Sequence, residues 1–354
     1  MMKRSALGVQ TASATLTVLT LQLFAVAGTA GAATPSAGGD PPRWCPAEGV
    51  LRADELPRSV RLGDCDLRGR VIEGPRGTTV AVPRDDLTVS ASSLHVDGAS
   101  SLRVRLDGGA GEVEITQSGK PSPAPEEQDS AQQSALDACT DQTWKASASS
   151  WPKGKTVRWR YYANREIEGG ITRLQAKRAV KSGVSNAFNA KTDCGGRERF
   201  TPLPNVYEDY MGKTRRQPNV DERGACSSRD GTNTFGWLPL TGLPETTLAV
   251  ACTWQGWNTT IEADIALQSS GKKWWSIEAN ARSASACPAG HYDATSVVTH
   301  ETLHALGLGH VEGDKHSNLT MTPVVRACDD RVSTLGRGDY EGLMKLYGPR
   351  RAEY

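Results

Sequence analysis

The chain has 354 residues, with 41 Lys and Arg against 40 Asp and Glu, for a net charge of +1. So even a balance excludes a partner drawn by the field of the whole molecule, nucleic acid above all, and leaves no acidic tail. The length points to two or three domains, one of them large enough to bury a substantial core.

Residues 1–32 read as a secretory signal. Lys3 and Arg4 give a positive start, an apolar run follows from Leu16 to Ala27, and Ala30-Gly31-Ala32 is a small-x-small cleavage site. The run falls short of the ~20 residues of a membrane span, and no later segment is apolar enough to cross a bilayer. The mature chain is therefore expected outside the cell, without a membrane span and as a monomer. Its eight cysteines include no C-x-x-C clamp, and in an exported chain they read as disulfides. Cys45–Cys65 is the natural first pair. The other six allow 15 connectivities, among which the sequence does not choose.

Residues 33–43 form a leader rich in Pro, Gly and Ala, expected to be flexible. Over 44–117, short alternating runs (Thr79–Val82, Leu87–Ser90, Leu94–Val96, Leu102–Leu106 and Val113–Ile115) are separated by Asp-Gly or Gly-Gly turns and predict a small all-β domain. It serves as a propeptide, folding aid or accessory module. His95 lies in a strand pattern and is read as structural. Residues 118–138, polar and rich in proline, read as a linker.

The domain expected over 139–354 holds eight of the nine tryptophans, which suits a real core. Thr156–Tyr162 reads as a strand. Thr172 and Gln175 form a capping box for a helix with Leu174, Val180, Val184, Ala187 and Phe188 at helical spacing, stopped by Gly195 and Gly196. The Gly-, Pro- and Arg-rich stretch Tyr207–Gly236 reads as loop, tied by Cys226. Leu248–Trp254 and Thr260–Leu267 read as strands.

The segment that carries chemistry is His300-Glu-Thr-Leu-His304-Ala-Leu-Gly307-Leu-Gly-His310. With Asp293 or Thr295 as cap, a helix turns Val297, Val298 and Leu303 inward. On it His300 and His304, four residues apart, project from one face. Glu301 stands beside the first imidazole, placed to take a proton from a water without occupying a ligand position. Gly307 tolerates positive φ, so it can end the helix and bring His310 round as a third nitrogen. Three histidines with one open position are a catalytic zinc arrangement, not a closed structural one.

This pattern resembles the extended signature of the metzincins, HExxHxxGxxH followed by a Met-turn, with Met321 in Asn318–Pro323 as the turn methionine. The matrixin (matrix metalloproteinase-like) branch is the nearer likeness. Tyr292–Glu301 resembles the run into its helix, Leu335–Gly348 its closing helix and Ile261–Ile265 the strand before the site. The likeness spans about 157–348. It implies an α+β fold: a metzincin-like catalytic domain with a twisted, mostly parallel sheet, helices, an active-site helix and a Met-turn, preceded here by the small all-β domain. It also implies one catalytic zinc and an endopeptidase acting on protein or peptide, with Glu301 as general base. Thr322, Pro323, Val324 and Val325 would wall an apolar pocket, and the substrate would pair with an edge strand at Leu248–Thr253.

The chain departs from the matrixin pattern in three ways. The interval from His310 to Met321 is long. No histidine between His95 and His291 is available for a second, structural zinc. No Pro-Arg-Cys-Gly switch precedes the domain, and a Cys65 paired with Cys45 could not cap the metal. Asp264 reads as a strand-capping or solvated carboxylate, with calcium ligation as the alternative, and His316 as a surface histidine.

Overall fold

The computed structural model describes residues 42–119, 134–147, 149–163, 167–257, 259–276 and 287–351. The signal segment, most of the leader and most of the linker lie outside the described residues.

Nine strands make one sheet. In chain order they are β1 (Ser59–Arg61), β2 (Thr88–His95), β3 (Gly98–Asp107), β4 (Glu112–Ser118), β5 (Thr156–Tyr162), β6 (Tyr207–Thr214), β7 (Asn233–Leu238), β8 (Thr247–Gly256) and β9 (Thr259–Gln268). Their spatial order is β6-β5-β7-β9-β8-β2-β3-β4-β1. The run β6-β5-β7-β9 is parallel, and every pair from β9–β8 onward is antiparallel. Within residues 139–354 the order β6-β5-β7-β9-β8 has three parallel pairs and one antiparallel pair, which fits the expected α+β class with a mostly parallel sheet, and the N-terminal strands continue it in antiparallel fashion. Connection length explains the split. The short turns between β2, β3 and β4 and between β8 and β9 permit only antiparallel neighbours, whereas the long connection from β5 to β6, which contains a helix, permits a parallel one.

That helix is α1 (Arg173–Phe188), with the expected Thr172–Gln175 capping box. It ends earlier than expected. Asn189 caps it and Ala190 takes φ +45, while Gly195 and Gly196 lie in a later 3-10 turn. Val180, Val184, Ala187 and Phe188 are buried, but Leu174 is 55% exposed and plays no part in the core. Gly183 lets a second helix, α2 (Ala294–Ala305), approach closely: a Cβ there would lie 2.6 Å from the Val298 side chain. The stretch read as loop contains two strands, β6 and β7. Tyr207–Thr214 escapes a hydrophobic reading because it is a half-exposed edge strand.

The two faces of the sheet bury different cores. On one, Trp159, Trp237, Ile265, Ala249 and Ala251 pack with α1 and α2. On the other, Val250, Cys252, Trp254 and Ala266 pack with Leu67, Ile72, Val80, Val89, Ala91 and Val104 from the N-terminal part of the chain. Alternation along β8 divides its side chains between the two. The expected small β domain is therefore continuous with the rest, and residues 41–354 form one compact unit. The runs Leu87–Ser90 and Leu94–Val96, expected as two strands, fall largely in the single strand β2.

The eight cysteines pair as Cys45–Cys65, Cys139–Cys194, Cys226–Cys252 and Cys287–Cys328. The first is the expected pair, and Cys226 ties its loop to β8. No helix among the described residues is long and apolar enough to cross a membrane.

Candidate metal centre

Helix α2 begins at Asp293. Its carboxylate accepts from the Ser296 amide at 2.8 Å, the Thr295 amide at 3.3 Å and the Ser296 hydroxyl at 2.7 Å. Of the two expected caps, the structure uses Asp293. All twelve helix residues are buried, including Val297, Val298 and Leu303. A helix enclosed on every side has no polar face, so its histidines and glutamate lie in a dry environment.

The helix ends at Ala305, and Gly307 follows at φ +98. A Cβ there would stand 2.5 Å from the Ser149 carbonyl oxygen, so this turn excludes any side chain. Leu308–Gly309 then pairs with Lys145–Ala146, which carries the chain back to place His310. The Nε2 atoms of His300 and His304 come within 3.2 and 2.9 Å of His310 Nε2. His300 Nδ1 donates to the Thr320 carbonyl at 2.7 Å, and His304 Nδ1 to the Leu308 carbonyl at 2.9 Å. Those bonds put the protons on Nδ1 and leave the Nε2 lone pairs converging. Burial holds His300 at about 3 and His304 at about 4, and holds His310 well below its ordinary value, with the neighbouring imidazoles adding to the effect at His300 and His310. All three are thus neutral at neutral pH.

Lone pairs brought this close repel one another unless a cation sits between them. A tetrahedral zinc with bonds of about 2.0–2.1 Å calls for ligand nitrogens about 3.3 Å apart, close to the spacing here. The donor set, three neutral imidazoles that can hold one ion, fits zinc. Glu301 supplies a second sign. Both of its carboxylate oxygens are buried, and neither has a hydrogen-bond partner among the described residues. Burial alone pushes its carboxyl well above the ordinary range. This buried, unpartnered carboxylate lies one residue along α2 from His300.

The loop after His310 is fixed from below. Val311 N–H donates to the Met321 carbonyl at 2.9 Å, and Met321 is buried. Asp339 is on α3 (Arg337–Tyr347) and accepts from the Thr320 and Gly336 amides at 2.9 Å each and from the Met321 amide at 3.1 Å. Because the Thr320 carbonyl holds His300, Asp339 supports the centre through one peptide unit. Burial raises its carboxyl to about 6 against the pull of those amides. Sequence reading passed over it. The available signal is an acid at the third position of a glycine-led helix, Gly336-Arg-Gly-Asp339.

Thr322 and Val325 are buried and Pro323 and Val324 half-buried, all on the chain that follows Met321. His316 is not on the surface as expected. It is buried, its Nδ1 meets Asp141 at 2.7 Å, and it is not one of the three converging histidines. Asp264 is buried with each oxygen accepting a backbone amide, from Thr234 and from Asn219, both at 2.6 Å. Glu262 likewise accepts the Asp230 and Gly231 amides and the Asn219 side chain. These carboxylates pin the loop between β6 and β7, and nothing supports calcium there. The expected edge strand at Leu248–Thr253 is corrected: β8 is an interior strand, paired on its far side with β2.

A family model described as Matrixin matches residues 239–348, the stretch that contains β8, β9, α2, the Met321 loop and α3. None of the curated proteins compared matches the chain. The matched stretch holds all three convergent histidines, Glu301, Gly307 and Met321, and the match supports a matrixin-like metzincin catalytic domain in this part of the chain.

Proposed function

We propose that this protein is a secreted zinc-dependent endopeptidase in which His300, His304 and His310 hold the metal and Glu301 is the general base. The observation that carries the reading is the convergence of three Nε2 atoms, two of them from the helix that also bears the buried, unpartnered Glu301 carboxylate. Zinc held there would polarise the scissile carbonyl and lower the pKa of a bound water from ~15.7 towards ~7. Glu301, kept dry and unpaired, takes the proton from the attacking water and returns it to the leaving amine. Asp339 and the Thr320 carbonyl fix the His300 ring, and the Leu308 carbonyl fixes His304, so little rearrangement accompanies the reaction. Met321 lies under the centre as a hydrophobic base, and Thr322–Val325 wall the pocket for the residue after the cut, with an apolar preference.

Export is supported by residues 1–32 as a signal and by four disulfides. Residues 44–117 then act on the enzyme as a propeptide or accessory module, joined through the 118–138 linker. Zinc-loaded protein freed of residues before Cys139 should cleave casein or gelatin, and a chelator should stop it. Hydrolysis of purified cell wall in place of protein would overturn the substrate assignment.

A further inference from the structure

A protease that holds its substrate extended needs a free strand edge beside the metal. Here that edge is taken. Strand β2 pairs with β8 from Thr88↔Gln255 to His95↔Thr247, with a register shift between Thr247 and Ala249. An incoming peptide cannot form the same ladder while β2 is in place.

The occupant is placed as a substrate would be. Directly opposed residues of an antiparallel pair share a face, so the pairs Leu94↔Ala249 and Ser92↔Ala251 put Leu94 and Ser92 on the side of β8 that faces the helices. Leu94 is fully buried there, in the cluster that contains Val297, Leu303, Met321 and Val325. Strand β2 lies against α2, the helix of His300, Glu301 and His304. At its end His95 forms a parallel bridge with Val324, on the segment read as the pocket wall. One short stretch, Leu94–His95, thus spans from β8 to that wall. The metal centre beneath is closed: His300 and Glu301 have no exposed surface, and His304 and His310 are 6% and 7% exposed.

We propose that strand β2 is an internal, substrate-like occupant of the active-site cleft, with Leu94 seated as the residue after the cut, so that the full-length chain is latent until β2 leaves. No cysteine is free to do this by capping the metal, since all eight are in disulfides. The occupant also describes the substrate: an extended peptide with small residues, as in Ser90-Ala-Ser-Ser93, before a leucine-sized apolar one. The inference rests on the peptidase reading for its biological sense but not for its test.

The test uses the zinc-loaded full chain and a short leucine peptide ending in a hydroxamate, whose capture requires an open cleft and no turnover. Binding is measured for wild type, Leu94→Ala and Leu94→Asp, with the fold of each checked by circular dichroism, and cleavage of an unstructured protein is followed in parallel. The expected result is binding at least tenfold tighter in the folded variants than in wild type. Wild type binding the peptide as tightly as the variants overturns the proposal, and does so even if Leu94→Asp fails to fold. Folded, zinc-loaded variants that remain closed to the peptide also overturn it. Tighter binding without cleavage by any form upholds the occupied cleft and sinks the endopeptidase reading. Brisk cleavage by wild type, unchanged in the variants, does the reverse.

Discussion

His95 joins the N-terminal strands to the segment that follows Met321 through its bridge to Val324, and its protonation should loosen that joint. It is fully buried, with Nδ1 3.2 Å from the Thr247 hydroxyl and Nε2 3.4 Å from that of Ser100. Burial lowers it from 6.5 to about 4, Arg76 and Lys272 adding to the effect and Asp97 opposing it. A folded value below the unfolded one means that the unfolded chain binds the proton first. The stability that His95 contributes is therefore complete above pH 6.5 and is lost as pH falls towards 4. Between pH 7 and pH 5 the loss is about 2 kcal/mol, at 1.36 kcal/mol per unit. His95→Gln keeps a donor and an acceptor for the two hydroxyls but does not titrate. Urea unfolding of both proteins at the two pH values isolates the difference from every other group. Wild type should lose about 2 kcal/mol more than His95→Gln; equal losses would refute the reasoning.

Three further substitutions test the frame of the centre. Gly307→Ala places a side chain at φ +98 and 2.5 Å from the Ser149 carbonyl oxygen. It should destabilise by about 2–3 kcal/mol and displace His310, seen as a lowered melting temperature and less zinc retained on dialysis. Asp293→Ala removes the cap of α2 and leaves two buried amides and a hydroxyl to find other partners. It should lower stability by about 2 kcal/mol in urea unfolding, with Asp293→Asn recovering part of the loss. Asp339→Ala frees the Thr320–Met321 turn, and zinc affinity measured by competition with a chelator should fall about tenfold.

The site was far more legible in the sequence than the architecture around it. The spacing of His300, His304, Gly307 and His310 encodes geometry directly: helical periodicity places the first pair, and one glycine places the third. The capping box at Thr172 and the strand patterns of β5, β8 and β9 are local signals of the same kind. What the sequence hid depends on long-range pairing. Nothing in the alternation of Thr88–His95 tells which strand it will meet, so a segment that reads as part of a separate domain proved to continue the catalytic sheet. The half-exposed edge strand β6 lacks an apolar run, and His316 and Asp141, 175 residues apart, show no sign of one another in the chain. Asp339 belongs to this class as well: its helix position is local, but its partners are not.

The central claim, that three histidines hold a metal over Glu301 as base, is tested most directly by comparing wild type and Glu301→Ala, both freed of residues before Cys139, for bound zinc and for cleavage of an unstructured protein. The account predicts one zinc per chain in each, with cleavage by wild type alone that a chelator abolishes and that the substitution lowers about 10²- to 10⁴-fold. Zinc absent from wild type, or cleavage undiminished in Glu301→Ala, would contradict it.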